Sequence, residues 1–274
     1  MGLLRDKSES EFTADEKKLV DHELAIASDI QENLMPRRIP QIPGYEVTAY
    51  YKPSQEVGGD YYDFIDIGGD RVAMVVADVS GKGVPGALVM VQTRAYLRSA
   101  AERLGSPRDL AIQLNRFLHQ DIPRGMFVTM YYAVLDPKNM RLTCLSSGHN
   151  PMVLWRARGK TCHIVNPNGL ALGIDRGPIF ERSAKEQVVQ LECGDRFVLY
   201  TDGLVEAMNK ENVEYGSMRF YRNVLAHAER ESSEFLSLIV KDVSEHVGDR
   251  PAHDDITVVT VRASAAAVPT AETA

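Results

Sequence analysis

A chain of 274 residues, 44% hydrophobic and 25% charged, is long enough to bury a full core, which excludes a miniprotein held together by metal or disulfides. Its 31 Lys and Arg against 38 Asp and Glu leave a formal charge of −7, the wrong sign for a nucleic-acid-binding surface. No run reaches the ~18 apolar residues of a membrane span and the opening MGLLRDKSESEF lacks a secretory apolar core, so no membrane contact is expected.

Residues 1–13 are expected to be disordered. Residues 14 to 35 contain no Gly or Pro and set Val20, Leu24, Ala27 and Leu34 on one stripe, interrupted by Gln31, which predicts an amphipathic helix. This segment, 14–39, either packs on its own domain or pairs with a second subunit as a linker and dimerisation helix, and Pro36, Pro40 and Pro43 end it. Residues 45–52 and 71–78 read as strands of a hairpin or meander, with Gly68-Gly69-Asp70 supplying the turn between them. From 85 to 119 the pattern is helical, broken into two helices around Gly105-Ser106-Pro107. Further strands are predicted at 126–135, 142–146, 152–156, 188–191, 196–201 and 256–261, and helices at 220–228 and 232–247. Strands that flank paired helical stretches favour an α+β layered sandwich over a doubly wound parallel sheet. The reading is one domain, 40–262, followed by a low-complexity, disordered tail at 263–274.

Aspartates recur at strand ends or in turns beside glycine: Gly59-Asp60, Asp78-Val79-Ser80-Gly81, Asp202-Gly203 and Asp254-Asp255. Each alone is an ordinary turn or cap residue. Together they differ, because Asp78 and Asp202 end apolar strands and Asp254-Asp255 opens one, so several carboxylates are expected to converge at one edge of a sheet. Clustered carboxylates repel, and each must stay protonated or meet a cation. An all-oxygen set suits Mg²⁺ or Mn²⁺. Zinc would recruit His or Cys, and neither the seven histidines nor the widely spaced Cys144, Cys162 and Cys193 form a ligand pair. Those three cysteines also make no disulfide framework, which points to the reducing cytoplasm. Four carboxylates balance two divalent ions, a pair able to clamp an in-line displacement at phosphorus. Ser80-Gly81-Lys82-Gly83 is not a Walker loop, since Val76 stands five residues before Gly81 and no Ser or Thr follows Lys82.

With ELAIASDIQENLMP, VGGDYYDF, VVADVSGKGVPGAL, MFVTMYYAVLD, SSGHNP, LYTDGLVEA and HDDITVVTV in this order, the chain resembles the metal-dependent, type-2C-like (PPM) protein serine/threonine phosphatases, in the bacterial SpoIIE and RsbU branch. The resemblance implies a four-layer αββα sandwich with a binuclear Mn²⁺ or Mg²⁺ centre between the sheets. It implies that Asp78 bridges both ions, with the Val79 carbonyl on the second. Asp202 and Asp254 would bind the first ion and Asp60 the second, directly or through water, and Asp78, Asp202 and Asp254 would form the catalytic core. Asp255 stands where eukaryotic relatives have Asn, and either binds or flanks.

Two departures from the eukaryotic pattern stand out. Ser80 replaces the His proposed there as general acid, and the residue that grips substrate phosphate has no counterpart beyond the candidate Lys82. In this branch the substrates are phosphorylated anti-sigma-factor antagonist proteins of partner-switching pathways. A separate sensor or activator is expected to supply the input, unless the chain is part of a longer protein, and a homodimer is expected through the N-terminal helices. The alternatives are a phosphatase fold that binds a partner with little turnover and a two-metal phosphohydrolase of small phosphoesters.

Overall fold

The computed structural model describes residues 13–264, so the disorder expected at 1–12 and 265–274 lies outside the described residues. Its interior is built from apolar runs too long for a half-solvated strand. They form two antiparallel sheets. The first runs in the order β1 (Tyr45–Lys52), β10 (Ile256–Ala263), β9 (Arg196–Tyr200), β6 (Met152–Arg156) and β7 (Thr161–Val165). The second runs β2 (Tyr61–Asp66), β3 (Val72–Val79), β4 (Val128–Asp136), β5 (Arg141–Ser147) and β8 (Gln187–Gln190).

Strand alternation sorts side chains between two cores. In β9, Phe197 and Leu199 join the core between the sheets, while Val198 and Tyr200 join a second core under the helices α6 (Ser217–His227) and α7 (Ser232–Val247). β10 divides the same way, with Val259 and Val261 on one side and Val258 on the other. The helices α2 (Gly83–Leu104) and α3 (Pro107–Asp121) cover the outer face of the second sheet. The four layers are those expected. The break between α2 and α3 also falls as predicted: Gly105 takes the left-handed conformation that ends α2, and Ser106 caps α3, with Pro107 in its first turn.

The predicted hairpin needs correction. The turn at Gly68-Gly69-Asp70 joins β3 to β2, not to residues 45–52. β1 instead belongs to the other sheet, where it pairs with β10 from Tyr45↔Ala263 to Lys52↔Ile256. β2 is hidden in the sequence because its buried face carries an acid. Asp63 is 0% exposed, gripped by Arg98 through two bonds of 2.7 Å and by the Tyr61 hydroxyl. β7 and the short helices α4 (Pro178–Ser183) and α5 (Asp202–Val205) are likewise absent from the sequence reading. β10 reaches Ala263, which was assigned to the tail.

The N-terminal helix α1 (Ala14–Leu34) begins at a capping box in which Thr13 and Glu16 bond each other's backbone N–H. Its predicted stripe, Val20, Leu24, Ala27 and Leu34, is half-buried, and the polar interruption Gln31 is buried. Leu19, Ile26 and Ile30 face outward. No described helix is long and apolar enough to cross a membrane.

Candidate active site

Strand ends deliver the carboxylates. Asp78 is the penultimate residue of β3, directly opposite Thr129 on β4. Asp202 opens α5 just after β9, Asp254 and Asp255 lead into β10, and Asp60 leads into β2. β3 belongs to one sheet and β9 and β10 to the other. The acids therefore gather between the ends of two facing sheets, and the single sheet edge expected from the sequence is corrected accordingly. Glycine permits the close approach. A Cβ on Gly203 would lie 2.0 Å from the Asp255 carbonyl, and one on Gly59 would lie 3.0 Å from the Val79 carbonyl.

The cluster is electrostatically unsatisfied. Burial, then the neighbouring Asp202 and Asp254, push the Asp78 carboxyl up to about 7. Burial and then Asp254 raise Asp202 as well. Asp60, 2% exposed, is raised well above the usual carboxylate range by burial and then by Asp78. Its Oδ2 accepts from the hydroxyls of Thr257 at 2.5 Å and Thr201 at 2.7 Å. Lys82 opposes the accumulated charge: its ammonium lies 2.9 Å from Asp254 and donates to the His253 carbonyl. The phosphate-binding candidate thus reaches into the acid cluster.

Asp255 behaves differently from its neighbours. Its Oδ1 accepts from the N–H and hydroxyl of Ser54 at 2.7 and 2.9 Å, and its Oδ2 from the N–H groups of Gly59 and Asp60 at 2.8 and 3.2 Å. Four donors commit this carboxylate to holding the loop 54–60, which favours flanking over metal binding. Ser80 accepts the Phe127 N–H on its hydroxyl at 2.8 Å, and its own N–H goes to the Phe127 carbonyl. His149, of the SSGHNP segment, is buried behind the cluster with Nδ1 2.8 Å from Thr129 Oγ1. Burial lowers its pKa to about 4, so the imidazole is neutral at pH 7.

Thr201, Thr257 and Ser54 were not identified from the sequence. For the two threonines the available signal was a hydroxyl residue beside an aspartate motif, in LYTDG and HDDIT; Ser54 adjoins no aspartate and carried no local signal. Among the described residues, no three His, Cys, Asp or Glu side chains are already drawn close enough to hold an ion. The donor chemistry nevertheless fits a divalent cation, since Asp78, Asp202 and Asp254 offer only oxygen, and burial with the neighbouring acids raises the proton affinity of Asp78 and Asp202.

Comparison with known proteins agrees with this architecture. The SiaA-PP2C domain of Pseudomonas aeruginosa superposes with a TM-score of 0.80 at 25% identity, over 92% of this chain and 99% of that one. The fold is thus that of the PP2C-type phosphatases. Residues 68–264 match the family described as Stage II sporulation protein E (SpoIIE), and the chain belongs to that family. Phosphoserine phosphatase RsbU of Bacillus subtilis (strain 168) is 28% identical over 243 residues, spanning 89% of this chain and 70% of RsbU. Phosphoserine phosphatase RsbP of the same organism is 27% identical over 67% of this chain and 45% of its own length.

Proposed function

We propose that this protein phosphatase hydrolyses phosphoserine or phosphothreonine in a phosphorylated anti-sigma-factor antagonist, at the Asp78, Asp202 and Asp254 cluster and with two divalent cations, Mn²⁺ or Mg²⁺. The carrying observation is the set of mutually repelling acids brought together from two sheets, with Asp78 pushed up to about 7. RsbU and RsbP, both phosphoserine phosphatases, support the substrate class.

In this reading Asp78, Asp202 and Asp254 would hold one ion, and Asp78, Asp60 and the Val79 carbonyl would hold the other. Bound there, the ions would supply Lewis acidity at the phosphoryl oxygens and lower the pKa of water. The chain's own groups prepare the site. Thr201 and Thr257 fix the Asp60 carboxylate, Asp255 fixes its backbone, and Lys82 holds Asp254. A separate activator protein and a homodimer complete the proposal.

The deciding experiment offers the purified chain, with Mn²⁺, a panel of phosphorylated antagonist proteins, nucleotides and small phosphoesters. Phosphate release from the phosphoproteins alone is expected. Release from the small esters alone would replace the protein substrate, and binding of the phosphoproteins without release would reduce the chain to a docking module.

A further inference from the structure

Where the apolar spacing of α1 calls for a hydrophobic side chain, the sequence has Gln31, and this residue is 6% exposed. Its carboxamide closes a two-way clamp on a single residue 27 positions away. Nε2 donates to the Gly58 carbonyl at 2.7 Å, and the Gly58 N–H donates to Oε1 at 2.9 Å. Gln is the side chain of this length that presents a donor and an acceptor side by side. Leaving either buried partner unpaired is costly, which strongly favours the clamp in the folded chain.

The clamped residue leads directly into the acid cluster. Gly58 is followed by Gly59 and Asp60, whose N–H groups both bond Asp255 Oδ2. Little slack exists on that side: a Cβ on Gly58 would lie 2.3 Å from Asp255 Oδ2 and 2.6 Å from the Tyr51 hydroxyl. Asp255, leading into β10, therefore pins the loop from one side and α1 pins it from the other. A second tie follows within one helical turn. Arg94 of α2 donates Nε to the Leu34 carbonyl at 2.7 Å, placing a cation at a helix end whose own last turn has none. α2 starts four residues after Val79 and lies against the same loop, where a Cβ on Gly86 would stand 3.6 Å from Gly59 Cα. α1 is thereby tied to both segments that carry Asp60 and Asp78.

We infer that Gln31 is a positioning residue of the active site, which sets the place of Asp60 through the Gly58 backbone and thereby the affinity of the second cation position. The inference rests on the metal-centre reading above. It makes α1 a working part of the centre as well as its neighbour.

The full chain tests it with two substitutions, Gln31→Met, which removes both bonds, and Gln31→Glu, which keeps an acceptor and loses the donor. Mn²⁺ binding is followed by isothermal titration calorimetry, and the melting of the metal-free proteins is recorded beside it. Loss of an outer partner typically weakens metal binding by about 10- to 100-fold. Both variants should stay folded without metal, melting several degrees below wild type because the buried Gly58 groups lose their partners, and bind the weaker Mn²⁺ at least about tenfold less tightly. Folded variants with wild-type Mn²⁺ affinity would overturn the inference. Hydrogen exchange of the wild type gives a readout that needs no variant to fold. The Gly58 amide should exchange as slowly as the amides of the last turn of α1, and exchange as fast as an exposed loop amide would equally overturn it. Absence of any Mn²⁺ binding by the wild type, with Gly58 still protected, would overturn the metal-centre reading instead.

Discussion

Asp78 concentrates the electrostatics of the acid cluster in one side chain. Its carboxyl is held near pH 7 against an ordinary value of 3.8, so the folded state binds this proton more tightly than the unfolded state does. The sign follows from linkage: this contribution favours folding fully below the unfolded pKa and is lost as pH rises through about 7. Replacing the acid by Asn removes the charge that its neighbours repel. Metal-free Asp78→Asn is therefore expected to be more stable than wild type at pH 8 and to lose part of wild type's stability gain between pH 8 and pH 5.5, measured by urea unfolding. Turnover of a phosphoprotein should fall by on the order of 10³-fold, the size of several kcal/mol of lost phosphoryl-charge stabilisation. A variant that keeps both the wild-type pH slope and its activity would remove Asp78 from the site. This acid was legible in the sequence because it ends a wholly apolar strand. The roles of Asp255 and Gln31 were not, since a carboxylate holding backbone N–H groups and one facing a cation share the same letter.

The elements divide along the same physical line. Long apolar runs such as β3 and capped breaks such as Gly105-Ser106-Pro107 are recoverable because composition alone distinguishes them. β2 escaped because Asp63 meets Arg98 from 35 residues away, a pairing that no local pattern reveals. α1 shows the same limit. Its periodic stripe was correctly apolar, but Val20, Leu24, Ala27 and Leu34 turn out half-buried, while Leu19 (57% exposed), Ile26 (47%) and Ile30 (58%) form an outward row with 7- and 4-residue spacing. That row, rather than the predicted one, is the face available to a second α1 in the proposed homodimer. Leu19→Glu combined with Ile26→Glu should shift the solution mass from dimer to monomer at micromolar concentration while Mn²⁺ affinity stays within twofold. Light scattering after size exclusion reads the mass, and a double variant that remains dimeric would move the interface elsewhere.

At the scale of the whole molecule, the site is where the two sheets are joined by polar groups. Asp60 and Asp78 come from the second sheet and its loop, Asp202 and Asp254 from the first, and Thr201 and Thr257 cross between them to Asp60. The layered fold was readable from the sequence. The assignment of β1 to the sheet of β9 and β10, which brings Ser54 to Asp255, was not, because strand order is set by pairings more than 200 residues apart. A cation shared by both sheets must stabilise them together, whereas one bound to a single loop would protect only that loop. Saturation at about 100 times Kd adds roughly 2.7 kcal/mol per site, and a chain of this size gains about 2–4 °C for each kcal/mol. Mn²⁺ is therefore expected to raise the single melting transition by at least about 5 °C, with chelator reversing the rise. Hydrogen exchange should slow at the facing ends of β3, β9 and β10 alike. Asp202→Asn, which takes one donor from the first sheet, should shrink both effects in parallel. Protection confined to the end of β3 that carries Asp78, with melting unchanged, would place the ion on one sheet alone and contradict a centre built between the two.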